Sequence, residues 1–459
     1  MRPRRWRRSS HLLIAAVVLV VVAVALAVAA VLTGGRTTGG GTAVAAAPAP
    51  ATADPAVVPV SDTAEKPTPA GLTAALAPAL ANPDLGALGG RVTDALTETQ
   101  LWEQGSATPM QPASTNKVLT AAAALLTLNR DARVTTTVLA ADQPGVVALV
   151  GGGDPTLSSA PPGQDTLYRG AARLWDLADQ VRRSGVTVTA IQVDTSAFAG
   201  PSMAPGWDPA DIEGGDVAPI ESVMLDAGRT LPVTPESARS PAPALDAGRA
   251  LAALLKVNPQ AVSVVTTPVN GRQIASVQSA PLIERLRQMM NESDNVMAEC
   301  VGREVADATH RPRSFGGAVD AVTNRLGAAE VDLTGATLLD SSGLSVNDRL
   351  TAKTLDDVIG AAAGPEQPAL RSLLDVLPVA GGSGTLSNRY VDIQTDGAAA
   401  GWLRAKTGSL TGTNALAGVV TDVGGRVLTF ALISNNAGPT GRTAIDDVAA
   451  TLRSCGCGS

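Results

Sequence analysis

Pro112-Ala113-Ser114-Thr115-Asn116-Lys117 opens an alanine-rich apolar stretch that runs on to Leu128. The stretch reads as a helix suited to burial, ended by Asn129 and Asp131. Ser114 and Lys117 are three positions apart, so on a helix they share a face and their side chains can meet. At a first turn the serine also lies beside free backbone N–H groups and the positive end of the helix dipole, which favour a developing alkoxide. Apolar surroundings lower the pKa of Lys117 and make it a credible base. Chance also places Ser-x-x-Lys pairs on surface helices, but in this chain the pattern occurs once.

Lysine usage adds weight to the pair. The chain has five lysines against thirty arginines, and two of the five are Lys117 and Lys406 of Lys406-Thr407-Gly408. Arginine stays protonated at any usable pH, whereas a desolvated lysine can act as a base. The only histidines are His11 and His310, which leaves a Ser-His-Asp triad or a histidine-rich metal site almost nothing to build with. Cys300, Cys455 and Cys457 do not make a clustered ligand set, so neither metal nor cofactor is expected. Cys455-Gly456-Cys457 would close only a very small, strained loop, and no structural disulfide framework is expected from it.

The chain of 459 residues does not begin as a globular domain. Residues 1–11 form a basic stub with Arg2, Arg4, Arg5, Arg7 and Arg8 and no acid, and Leu12 to Leu32 is an unbroken apolar run. Twenty-one residues of helix span about 30 Å, a bilayer core, and the basic flank keeps the N-terminus cytoplasmic. The expectation is a single-pass signal anchor with the rest of the chain outside the cytoplasm. Secretion after cleavage of a signal peptide is the alternative, although such peptides usually carry about 7–15 apolar residues. Residues 33–69, rich in Ala, Pro and Thr, read as a flexible linker. Without the five N-terminal arginines, 30 basic residues face 42 acidic ones, which argues against nucleic acid as a partner.

Beyond residue 70 the texture is globular. Gly89 to Trp102 reads as a strand pair, Val134 to Val150 as strands, and Tyr168 to Arg183 as an amphipathic helix followed by a strand at Val186 to Val193. Ala247 to Leu255 and Leu282 to Met290 read as helices. Ala415 to Thr421 and Val427 to Ile433 read as a hairpin across Gly424-Gly425, and Ala444 to Leu452 as a closing helix. The fold class expected is α+β, not an alternating βαβ architecture.

Two further motifs bear on chemistry. Ser293-Asp294-Asn295 interrupts two helical stretches, where such residues also serve as ordinary caps. In Lys406-Thr407-Gly408-Ser409 the glycine permits the close backbone approach a substrate needs, although an edge-strand lysine before a turn would look the same. In this order the three motifs are the set of penicillin-binding proteins and serine β-lactamases. With Gly152-Gly153-Asp154-Pro155-Thr156-Leu157, Gly206-Trp207, Ala218-Pro219-Ile220 and Asp340-Ser341-Ser342-Gly343-Leu344-Ser345, the chain from Ala70 to Leu452 resembles the class C low-molecular-mass penicillin-binding proteins. Those are serine-type D-alanyl-D-alanine carboxypeptidases and endopeptidases.

The resemblance implies a transpeptidase-like catalytic domain at 70–140 and 278–459, interrupted by an insertion region at 141–277. Ser293 follows Ser114 by 179 positions, room for one inserted domain. It implies Ser114 as nucleophile, Lys117 as base, Ser293 as proton relay, Asn295 as a substrate-aligning amide and Lys406 as a source of positive field. Thr407, Gly408 and Ser409 would form the edge that receives the terminal carboxylate. Asp211, four positions after Trp207, would read the free end of a substrate side chain. The arginine that completes that pocket is expected just after Ser345, where this chain has Val346, so Arg349 is the candidate substitute. Peptidoglycan stem peptides are the implied substrate and β-lactams the implied covalent inhibitors. A serine β-lactamase, or a non-catalytic wall-binding protein with a decayed site, are the competing readings.

Overall fold

The computed structural model describes residues 63–392 and 396–457. The basic stub, the apolar run at 12–32 and most of the linker lie outside the described residues. Among the described residues no helix is long and apolar enough to cross a membrane.

In chain order the elements are α1 (Pro69–Leu80), β1 (Ala87–Asp94), β2 (Gln100–Gln104), α2 (Lys117–Thr127), β3 (Thr135–Ala141), β4 (Val146–Gly151), α3 (Leu174–Arg183) and β5 (Ala190–Asp194). There follow the short α4 (Ala210–Gly214), then α5 (Pro243–Leu255), β6 (Val262–Val265), β7 (Gly271–Gln278), α6 (Leu282–Asn291), α7 (Asn295–Ala308) and α8 (Phe315–Gly327). The last are α9 (Ala352–Ala363), α10 (Arg371–Val376), β8 (Leu403–Leu410), β9 (Thr413–Thr421), β10 (Val427–Asn435) and α11 (Gly441–Ser454).

The first sheet runs β2-β1-β10-β9-β8, antiparallel throughout. Its central strands are apolar on both sides because helices cover both faces. Leu416, Val420, Phe430 and Leu432 pack with Leu72, Leu76 and Ile445 of α1 and α11, while Ala417, Ala431 and Ile433 face the cluster containing α2, α7, α8 and α9. Helix α1 starts where it does because the Thr68 hydroxyl accepts the Gly71 N–H at 3.1 Å and Pro69 follows as the first helical residue.

The second sheet runs β6-β5-β4-β3-β7. Strands β4, β5 and β6 are parallel, connected through α3 and α5, whose Leu174, Leu177, Ala247 and Leu251 bury against Val147, Leu149, Ile191 and Val193. An alternating β4-α3-β5-α5-β6 unit is thus nested in the middle of the chain, although the fold class expected was not an alternating βαβ architecture. The sequence signal was blurred because α3 begins only at Leu174. Residues 168–173 are loop, and Tyr168 is buried there for another purpose. This sheet also begins earlier than the 140/141 boundary, since β3 starts at Thr135 and pairs with both β4 and β7.

Cys455 and Cys457 form a disulfide, contrary to the expectation from their spacing. Their Cα atoms are 5.0 Å apart, inside the ordinary range, because Cys455 leaves α11 in an extended conformation. Cys300 is free and buried in α7.

Candidate active site

Ser114 sits in a tight 3₁₀ turn, Ala113–Asn116, not in the α-helix expected from Ala113 onward; the helix starts at Lys117. The turn is forced by its neighbours. Ala113 has φ 48°, the Thr115 hydroxyl donates to the Pro112 carbonyl at 2.6 Å, and two glycines press on the segment. A side chain at Gly343 would lie 2.0 Å from the Ala113 carbonyl oxygen, and one at Gly408 would lie 2.7 Å from that of Pro112. Glycine at 408 is what lets β8 run beside the serine.

Lys117 is fully buried, and its Nζ donates to Ser114 Oγ at 2.8 Å, Asn295 Oδ1 at 2.6 Å and the Ser342 carbonyl at 2.9 Å. Burial pulls its pKa down to about 8 against the opposing attraction of the Asp340, Asp294 and Glu299 carboxylates. The Ser342 carbonyl is held by the loop around Asp340. That carboxylate accepts the backbone N–H groups of Ser342, Gly343 and Ser345 and, at 2.8 Å, the indole N–H of Trp207. Beneath it, burial and the Asp340 charge raise Glu299 to about 7 and Asp348 to about 10.

Ser293 lies in the left-handed region, φ 57°, between α6 and α7. Asp294 caps α7 by accepting the Met297 N–H at 2.9 Å. Its other oxygen accepts the Tyr168 hydroxyl and lies 3.5 Å from Arg229 Nη2. Burial pushes this carboxyl up, but the Arg239 and Arg229 guanidiniums and the Tyr168 hydroxyl prevail and hold it at about 2. Asn295 is fixed at both ends, Oδ1 on Lys117 and Nδ2 on the Asp216 carbonyl at 3.0 Å.

Lys406, on β8, is fully buried and donates to Ser293 Oγ at 2.9 Å and the Thr407 carbonyl at 2.7 Å. The hydroxyls of Thr407 and Thr385 are 2.8 Å apart. Ser114, Ser293, Asn295, Thr407 and Ser409 open into one cleft of about 850 Å³, which Asp211 of α4 also lines. Burial raises the Asp211 carboxyl, and the charges of Asp216 and Asp208 add to the effect.

Arg349 is not part of this cleft. Its backbone pairs with Thr337, and its exposed guanidinium donates to the carbonyls of Val346 and Asp348 at 3.0 and 2.7 Å. The exposed side chain of Val346 lines the cleft instead. The cations that do line it from the middle of the chain are Arg229 and Arg239, which the sequence analysis did not single out, nor did it single out Tyr168 or Glu299. No cluster of metal-ligating side chains occurs among the described residues.

The family model of the D-Ala-D-Ala carboxypeptidase 3 (S13) family matches residues 72–238 and 231–453. The chain belongs to that family. It is therefore a serine-type D-Ala-D-Ala carboxypeptidase, a hydrolase of peptide bonds and a relative of the class C penicillin-binding proteins. Residues 1–59 match a second model, the Carboxypeptidase Rv3627c-like N-terminal domain. Carboxypeptidase DacB of Mycolicibacterium smegmatis is 67% identical over 100% of both chains. Carboxypeptidase Rv3627c of Mycobacterium tuberculosis is 62% identical, again over 100% of both. Penicillin binding protein 4 of Haemophilus influenzae, at 23% identity, shares the mixed α/β fold with a TM-score of 0.68, covering 84% of this chain and 98% of that one.

Proposed function

We propose that this carboxypeptidase trims peptidoglycan stem peptides outside the cytoplasm through an acyl-enzyme on Ser114, held at the membrane by its apolar segment at 12–32. The observation that carries the chemistry is the set of three hydrogen-bond partners around Lys117 Nζ. A neutral amine has two N–H bonds and one lone pair. With the N–H bonds committed to Asn295 Oδ1 and the Ser342 carbonyl, the lone pair faces Ser114 Oγ.

In this reading Ser114 Oγ attacks the carbonyl between the two D-alanines and its proton passes to Lys117. The backbone N–H groups of Ser114 and Ser409 receive the oxyanion. Ser293, hydrogen-bonded to Lys406, relays a proton to the departing D-alanine nitrogen as the C–N bond breaks. The hydroxyls of Thr407 and Ser409 hold the terminal carboxylate, and water then cleaves the ester. A β-lactam acylates the same oxygen, but its leaving nitrogen stays tethered, so deacylation is slow. Asp211, with Asp208 and Asp216 nearby, favours an ammonium at the far end of the substrate. Cross-linked peptides entering the same cleft would add endopeptidase activity.

The test is incubation of the purified protein with wall pentapeptides and cross-linked dimers, with mass spectrometry of the products. Release of D-alanine from the pentapeptide supports the reading; no release under conditions where a fluorescent penicillin labels the protein would sink it. The membrane anchor is tested by fractionation with N-terminal sequencing. A soluble form beginning after Leu32 would replace the anchor with a cleaved signal.

A further inference from the structure

One end of the first sheet carries large apolar side chains that the described residues leave about half exposed. Leu96 follows β1 and is 52% exposed, Val423 tips the β9–β10 hairpin at 56%, and Trp402 precedes β8 at 51%. The register puts all three at the same rim. Asp94 of β1 pairs with Leu428, Val427 with Thr421, and the Thr421 N–H donates to the Trp402 carbonyl. Across the strands from β1 to β8 the rim is roughly 14 Å wide. Monomer surfaces scatter single apolar residues freely, but a row at one edge calls for a partner.

The same rim is where the chain enters the domain. The Ala64 carbonyl accepts from Arg426 Nη1 at 3.3 Å, and the Thr68 N–H donates to the Cys457 carbonyl at 3.0 Å, beside the hairpin. Upstream of Ala64 lie the Ala/Pro/Thr-rich stretch and the apolar run at 12–32. Polar groups around the row suit a headgroup layer. Arg453 stacks on the Trp402 ring at 4.1 Å, and Arg404 is exposed two residues along β8. Asp94 is turned inward onto Arg426, Glu98 lies against Gly364 at the end of α9, and Asp375 lines the groove of this rim together with Arg371 and Arg404. An apolar groove of about 480 Å³ indents the rim between Leu96 and Arg404.

We propose that this rim is a second contact with the bilayer, in which Leu96, Trp402 and Val423 dip into the interface and hold the domain in one orientation. The inference rests on the membrane-anchor reading given above. A tryptophan with a cationic neighbour is the combination favoured at the headgroup level, where apolar side chains reach about 5–10 Å deep. Counting along β8, Lys406 then stands roughly 13 Å and Ser409 roughly 23 Å from the Trp402 end. The cleft would face away from the lipid at that height.

The test uses the full-length chain in vesicles of phosphatidylcholine and phosphatidylglycerol with brominated acyl chains. The Trp402 signal is the difference between wild type and Trp402→Phe. Its emission should be clearly quenched relative to unbrominated vesicles, as contact of the ring with the acyl-chain boundary requires. Val423→Glu should restore most of that emission while leaving D-alanine release from soluble pentapeptide unchanged. Protein that floats with the vesicles but keeps its full Trp402 signal overturns the second contact and leaves the anchor standing. Failure of the full-length chain to float overturns both.

Discussion

Lys117 and Lys406 are closed off from solvent in one site, and the charge of Lys117 adds to burial in holding Lys406 well below the ordinary lysine range. Two ammonium groups so placed cannot both be charged cheaply. Lys117 is a base only when neutral, so the acylation rate should rise about tenfold per pH unit below about 8 and level off above it. Lys117→Arg keeps the charge but removes the base, which should cost roughly 10²–10⁴ in acylation. Stopped-flow acylation by a chromogenic β-lactam across pH measures both.

Ser114→Ala should stay folded and take up no fluorescent penicillin. Labelling of the folded variant at another serine would contradict the assigned nucleophile.

Tyr168→Phe removes the hydroxyl that joins Asp294 to Arg229. The loss leaves the Asp294 carboxylate short of a donor and Arg229 Nη1 short of an acceptor, and should cost about 1–3 kcal/mol of stability. Ser293 and Asn295 flank Asp294, so kcat should fall more than KM rises. Equal wild-type kinetics at a lowered Tm would show that the network supports only the fold.

Glu299 has a folded-state value of about 7 against an ordinary 4.5. A carboxyl raised by folding contributes its stability fully below about 4.5 and loses it as pH rises through about 7. The loss is on the order of 3 kcal/mol. Wild type should therefore lose Tm relative to Glu299→Gln across that window, a difference that calorimetry at several pH values resolves. Parallel Tm curves for the two proteins would exclude a buried, late-ionising Glu299.

Arg349→Ala should leave kcat/KM unchanged, because that guanidinium spends itself on local carbonyls. Asp211→Asn should raise KM for substrates with a free side-chain amine. With Val346 where a cation was expected, diaminopimelate and lysine pentapeptides should differ by less than about tenfold, or about 1.4 kcal/mol. A strong diaminopimelate preference would point to a partner for its extra carboxylate elsewhere, among Arg229, Arg239, Arg389 and Arg442, the arginines that line the cleft.

The residues readable from sequence were those carried by short local patterns: Ser114 with Lys117, Ser293 with Asn295, and Lys406 with Thr407. Their meeting place was readable only through the order of the three motifs. What stayed hidden depends on contacts between distant segments. Tyr168 reads as the first residue of an amphipathic helix, and nothing local says that its hydroxyl lies on Asp294, 126 positions away. Glu299 looks like one more helix acid paired with Arg303 one turn on, until Ser341, from a distant loop, donates its N–H to it. Arg349 failed for the opposite reason. Spacing gave its position along the chain but not its direction, which the bridge to Thr337 sets.

Strand β1 finds β2 at once, but its other neighbour is β10, with Ala87 opposite Asn435. On a ribosome the first of these is made long before the second. Until the final eighth of the chain is synthesised, Ser114 has neither β8 beside it nor Lys406 across from it, and the apolar faces of β1 and α2 have no complete sheet to rest on. Contacts of such sequence separation are the last to form. A copy that lacks β8 to β10 is therefore silent. It can neither cut a stem peptide nor be trapped by a penicillin, so labelling counts only molecules that carry the whole sheet.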